Sequence, residues 1–125
     1  MQISIWDSLI DPDGDPLMPV PYRPTPDGSA AWYRVYIYLR GPDVPFVDSV
    51  EYLLPPGFAH RRKRVGATYT NPFFKTVIET TTSRFEIFAN VWINSLPRPF
   101  RLRHVMRFDG EMRNISFFPS GSLGR

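Results

Sequence analysis

The sequence predicts an all-β sandwich or barrel of seven to eight short strands. Three observations lead there. From Trp32 onward, apolar residues recur at every second position in one run after another, which is the period of a half-buried strand. The runs are separated by clusters rich in Pro, Gly, Asp and Asn, and the 125 residues include 14 prolines and 8 glycines. Proline is thus at roughly twice its usual ~5% share, placed as turns between short strands require. No convincing helical segment is present. Hydrophobic residues make up 42% of the chain, ten of them Phe, enough for the core of one domain.

The elements follow in order. Residues 1–10 predict a first strand, with Ile3, Ile5 and Leu9 as its apolar side. Residues 11–29 carry six prolines, which fix φ and remove backbone donors. An extended arm with no regular element is expected there. In the next strand Tyr33, Val35, Ile37 and Leu39 face one way, and Arg34, Tyr36, Tyr38 and Arg40 the other. "GPDVP" turns the chain into a strand over 47–54, which "PPG" breaks. Residues 61–70 are weakly extended. A strand follows over 73–80, with "TTTS" as its turn. The strongest strand spans 84–94, with Phe85, Ile87, Ala89, Val91 and Ile93 toward the core. In 100–108, Phe100, Leu102, His104, Met106 and Phe108 alternate with Arg101, Arg103, Val105 and Arg107. "DGEMRN" is expected to turn into a last strand, "ISFF".

Composition excludes some chemistry. There is no cysteine, hence no disulfide, thiol nucleophile or Cys-based zinc site. No segment approaches the ~20 apolar residues of a membrane span, and "MQISIWDSLI" lacks the basic start of a signal peptide. A cytoplasmic protein is expected, with no membrane partner and no cofactor. The oligomeric state is left open. The net charge is only +3, so any electrostatic function is local.

One order of segments carries a family resemblance. Tyr52, Leu54, Pro56 and Phe58 end a strand as Tyr-x-Leu-x-Pro-x-Phe, and "NPFFKTVIETTTSRFEIFANVWI" follows, with Phe85, Ile87, Ala89 and Val91 in its last strand. This resembles YEATS domains, particularly the prokaryotic kind, over about residues 32–108. The resemblance implies an immunoglobulin-like β-sandwich, placed over 30–118; the residues themselves predict the strand and Pro-rich arm of 1–29 before it and a flexible tail, 119–125, after it. It also implies a non-enzymatic module whose loops at one end hold a protein or peptide partner, in signalling or conflict systems. Family members that read acylated lysine use a His and a Ser in the first loop and an aromatic in a later one. Here Pro55 and Gly57 stand at the first two places, and the third falls near Thr82. The expected binding loop is therefore Pro55, Pro56, Gly57 and Phe58, without acyl-lysine recognition. The plainer account of Phe58 is a plug into the core.

Two basic segments offer another function. Arg61, Arg62, Lys63 and Arg64 are expected to flank the loop as an anion-attracting rim. On a strand they would split between two faces. Arg98, Arg101, Arg103 and Arg107 form a second patch, with the last three on one strand face and Arg113 nearby. With Tyr36 and Tyr38 interleaved, such a stripe suits single-stranded nucleic acid, although no nucleic-acid motif is present. A solvated sheet face is the plainer account. A third possibility is a small assembly subunit of a viral or secretion particle, clasping a neighbour with its arm.

Other constellations are weak. Asp11, Asp13 and Asp15 suggest a calcium loop, but Pro16 and Tyr22 stand where its glycine and final glutamate belong. His60 and His104 lack metal-pair spacing. His104 is expected to be a core histidine with a hydrogen-bond partner. Glu79 and Glu86 do not form an acid–base pair on spacing alone.

Overall fold

The computed structural model describes residues 2–13, 22–24, 31–82, 84–94 and 96–108. Eight strands run through them: β1 (Ser4–Ser8), β2 (Tyr22–Pro24), β3 (Ala31–Arg40), β4 (Val47–Leu53), β5 (Arg62–Gly66), β6 (Thr76–Thr80), β7 (Glu86–Ile93) and β8 (Phe100–Val105). All pairings between them are antiparallel. In the first sheet β3 is central. Its residues 36–37 pair with both β1 and β6, and Tyr33 pairs with both β2 and β6. Hence β1 and β2 lie end to end along one edge and β6 lies along the other. The second sheet has the order β5-β4-β7-β8. With β1, β3 and β6 on one side of a shared core and β4, β7 and β8 on the other, the two antiparallel sheets form a β-sandwich.

The period-2 reading of the sequence holds in the core. Val35, Ile37 and Leu39 from β3 and Ile87, Ala89 and Val91 from β7 are fully buried and pack with Ile5, Val50, Tyr52 and Ile78. Tyr33 and Phe85, also expected in the core, are half-buried at its margin. They lie at the end of the sandwich where β4 and β6 end and β7 begins, and there the two sheets no longer cover each other completely.

Three expectations need correction. The Pro-rich arm holds a regular element after all: β2 pairs with the start of β3. A proline is tolerated there because the strand is an edge and Pro24 is its last residue. The strand expected over 73–80 starts only at Thr76. Phe74 takes a positive φ of 57°, which turns its buried side chain into the core while Phe73 remains exposed. Tyr38, expected on an outer face, is buried at 7% exposure. The expected turn and strand of 109–118, the 119–125 tail, Arg113, Asp15 and most of the 11–29 arm lie outside the described residues.

Turn chemistry closes the frame. After β3, Gly41 has φ +134° and sits so close to Gln2 that an added Cβ would lie 2.1 Å from the Gln2 carbonyl oxygen. The Gln2 N–H donates to the Asp43 carboxyl at 2.7 Å, which pins the entry to β1 beside this turn.

Candidate functional site

The loop between β4 and β5 is built as its residues demand. Leu54 is buried and its N–H donates to the Arg61 carbonyl at 2.7 Å, closing the base of the loop. The Phe58 N–H reaches back to the Pro55 carbonyl at 3.5 Å, with Pro56 and Gly57 between them and Gly57 at φ +102°. Pro then Gly at the two central positions is the signature of a type II turn. Nothing lies within 4 Å of a Cβ built on Gly57, so glycine is required there for its backbone and not for space. The Phe58 ring stacks at an angle on Phe85, centroids 5.2 Å apart, and packs against the core margin. It is both plug and wall.

Phe58 forms one side of a groove of about 840 Å³. Pro56, Gly57, Ala59 and His60 extend that side. Trp32, Arg34 and Tyr36 enter from the outer face of β3, Val77, Glu79 and Thr80 from β6, and Thr81 and Thr82 from the turn that follows. Thr80 is buried. Its hydroxyl donates to the Thr82 carbonyl at 2.9 Å and accepts from the Thr82 N–H at 3.1 Å. The turn near Thr82 is therefore held by its own threonine in place of an aromatic. The groove has the size of a ligand site. Its aromatic wall comes mainly from β3, which sequence reading did not assign to the site. The signal available was the alternation Trp32, Arg34, Tyr36 along β3, opposite the core residues.

The rim expected from residues 61–64 is corrected by the strand's alternation. Only Lys63 lines the groove. The Arg61 guanidinium donates through Nε to the Leu54 carbonyl at 3.3 Å and braces the loop. Arg62 and Arg64 point to the opposite, exposed side of β5. Across the sheet they share that side with Leu53 and Glu51 on β4, Phe88 and Asn90 on β7, and Arg103 and Arg101 on β8. Tertiary structure thus joins the two basic segments on one sheet face. The aromatics interleaved with them are Phe88 and Trp92, not Tyr36 and Tyr38, which belong to the other sheet. Arg107 lies beyond the end of β8, its backbone N–H donating to both Asp7 carboxyl oxygens, and with Arg103 it lines a second, shallower pocket. Arg98 is exposed in the turn before β8.

The remaining candidates resolve into structural pairs. His104 is only 13% exposed at its side chain, and its Nε2 lies 2.5 Å from the Asp7 carboxyl, which is 1% exposed. Asp11 and Asp13 both grip the Lys75 ammonium, at 2.7 and 2.8 Å, so the cation they hold belongs to the chain itself. Glu79 pairs with Arg34 and Glu86 with Arg103, on different sheets. Among the described residues, no group of three or more His, Cys, Asp or Glu could hold a metal ion, and no helix is long and apolar enough to cross a membrane. No family model matches the chain, and no curated protein matches it.

Proposed function

We propose that the protein is a non-enzymatic, YEATS-like binding module that takes an extended peptide segment of a partner protein into the groove between the β4–β5 loop and β6. The observation that carries this reading is convergence. The two loops nominated by the family resemblance, at residues 55–58 and near Thr82, close on one groove that Trp32, Tyr36 and Phe58 line. The type II turn makes the loop a stiff platform, so little freedom is lost when a ligand docks. The aromatic wall offers apolar contact, and Lys63 and the Arg34–Glu79 pair offer polar contact at its margins. A cytoplasmic setting in a prokaryotic signalling or conflict system goes with this reading.

Selection from a displayed library of random peptides, followed by mapping of amide shifts on the isotope-labelled chain, tests it. Enriched peptides should perturb Trp32, Gly57, Phe58 and Thr82, and Phe58→Ala should abolish the effect. Shifts confined to the β5-β4-β7-β8 face, or no enrichment at all, would remove the groove from consideration.

A further inference from the structure

We infer that the outer face of the β5-β4-β7-β8 sheet is a docking platform for single-stranded nucleic acid. The inference is independent of the groove and of what the groove binds. The register sets out the platform in rows. One row runs Arg62, Leu53, Phe88, Arg103, and the next runs Arg64, Glu51, Asn90, Arg101. Two arginines therefore line each edge of the sheet, with Phe88 and Trp92 on β7, one of the two strands between them.

The side chains are already arranged in layers. The Arg64 guanidinium lies over the Trp92 ring, 4.2 Å from its centroid, and the Arg101 guanidinium lies over Phe88 at 5.6 Å. Planar cations stacked on rings present flat π faces beside positive charge, the combination that holds a base and its phosphate together. Two glutamates share the face, Glu51 beside Arg62 at 3.6 Å and Glu86 bonded to Arg103. The arginine side chains are 74% and 69% exposed, against 15% and 35% for the glutamates. The outermost charge is thus positive, and it is what an incoming polyanion meets first.

Width favours a single strand over a duplex. Three inter-strand spacings separate β5 from β8, about 14 Å before side chains are counted, which exceeds the ~12 Å width of a B-DNA major groove. Stacking on the Arg64–Trp92 and Arg101–Phe88 layers also requires bases that are not paired inside a helix. An acidic peptide would pair with the arginines but has no flat face to lay on the guanidinium–ring layers.

The test is fluorescence anisotropy of the full chain with labelled oligonucleotides of about twelve nucleotides, RNA and DNA in separate arms. Saturable binding at about 50 mM salt should weaken ~50-fold by about 200 mM, because four phosphate contacts give a log–log slope near −3. The double variant Arg101→Gln, Arg103→Gln should flatten that slope by about 1.4. Trp92→Leu should lower affinity about tenfold at an unchanged slope. If it melts early, Phe88→Leu reads the same quantity. Phe58→Ala, in the groove, should change neither. No binding of either oligonucleotide at low salt overturns the proposal, as does a slope indifferent to the arginine pair. Tighter binding of the matched duplex, or equal binding of a polyglutamate peptide that ignores Trp92→Leu, assigns the face to another partner and equally overturns it.

Discussion

The Tyr52 hydroxyl donates to the Phe74 carbonyl at 2.8 Å in the buried core. This bond joins the two segments that carry the family resemblance, the end of β4 and the turn that precedes β6. Both residues are at most 2% exposed, and burial pushes the Tyr52 phenol well above the ordinary tyrosine range. Phe74 has a positive φ, which costs a non-glycine residue ~1–2 kcal/mol. The surroundings over-determine that conformation. The Phe74 N–H donates to the Asn71 carbonyl, and the Asn71 side chain clasps both backbone groups of Lys75 at 2.9 Å.

Tyr52→Phe should therefore destabilise the domain by ~1–2 kcal/mol, because the Phe74 carbonyl is left buried without this donor. Chemical denaturation measures it. A change below about 0.3 kcal/mol would mean that the carbonyl finds another partner.

The Lys75 staple makes a prediction in pH. Its hydrogen bond is the main reason that the Asp11 carboxyl lies below its usual range, against burial, which raises it. Burial draws Lys75 down, but the bonds and charges of Asp11 and Asp13 outweigh this and leave it raised. The Asp11 contribution is present above its unfolded value of ~3.9 and is lost as pH falls through the lower folded value. The Lys75 contribution is present below ~10.4 and is lost as pH rises through the higher folded value. Lys75→Met should cost ~0.5–1 kcal/mol near neutral pH, allowing for solvent screening of these partly exposed groups. The difference from the parent should vanish in strong acid. A difference that persists at the lowest pH would assign it to packing, for example against Tyr36, whose ring centroid lies 5.8 Å from the ammonium.

His104 and Asp7 tie β8 to β1, from opposite sheets. His104→Ala would leave a fully buried carboxyl group with only the Arg107 N–H as its described partner. The expected loss is ~2–3 kcal/mol, roughly a 10 °C fall in melting temperature for a domain of this size. Asp7→Asn in the His104→Ala background should cost less than it does alone. Simple additivity in that double-mutant cycle would rule out coupling between the two.

Acetyl- and crotonyl-lysine peptides should give no saturable heat by calorimetry. Pro55 and Gly57 offer no polar side chain to hold the amide, and Pro55 has no N–H. A buried amide left unpartnered costs ~1–3 kcal/mol. A micromolar dissociation constant that is lost in Phe58→Ala would show that the aromatic wall of Trp32, Tyr36 and Phe58 compensates for the missing polar grip.

Local pattern determined much of this protein. Alternation along β3 and β7 identified Val35, Ile37, Leu39, Ile87, Ala89 and Val91 as core, because a strand's side chains leave on two faces with a period of two. Pro56 before Gly57 specified a turn with positive φ, because only glycine enters that region without strain. His104 on the apolar side of β8 implied a partner, because a buried imidazole needs one. What tertiary structure alone decided was adjacency. Residues 62–64 and 101–103 are far apart in the chain, and only the order β5-β4-β7-β8 puts their arginines on one face with Phe88 and Trp92. Trp32 and Tyr36 became groove residues only because the β4–β5 loop folds toward their face. That Asp11 and Asp13 bind Lys75, and that Asp7 binds His104, depends on contacts across more than sixty residues. Periodicity reports which face a side chain occupies. It carries no record of what the fold brings to that face.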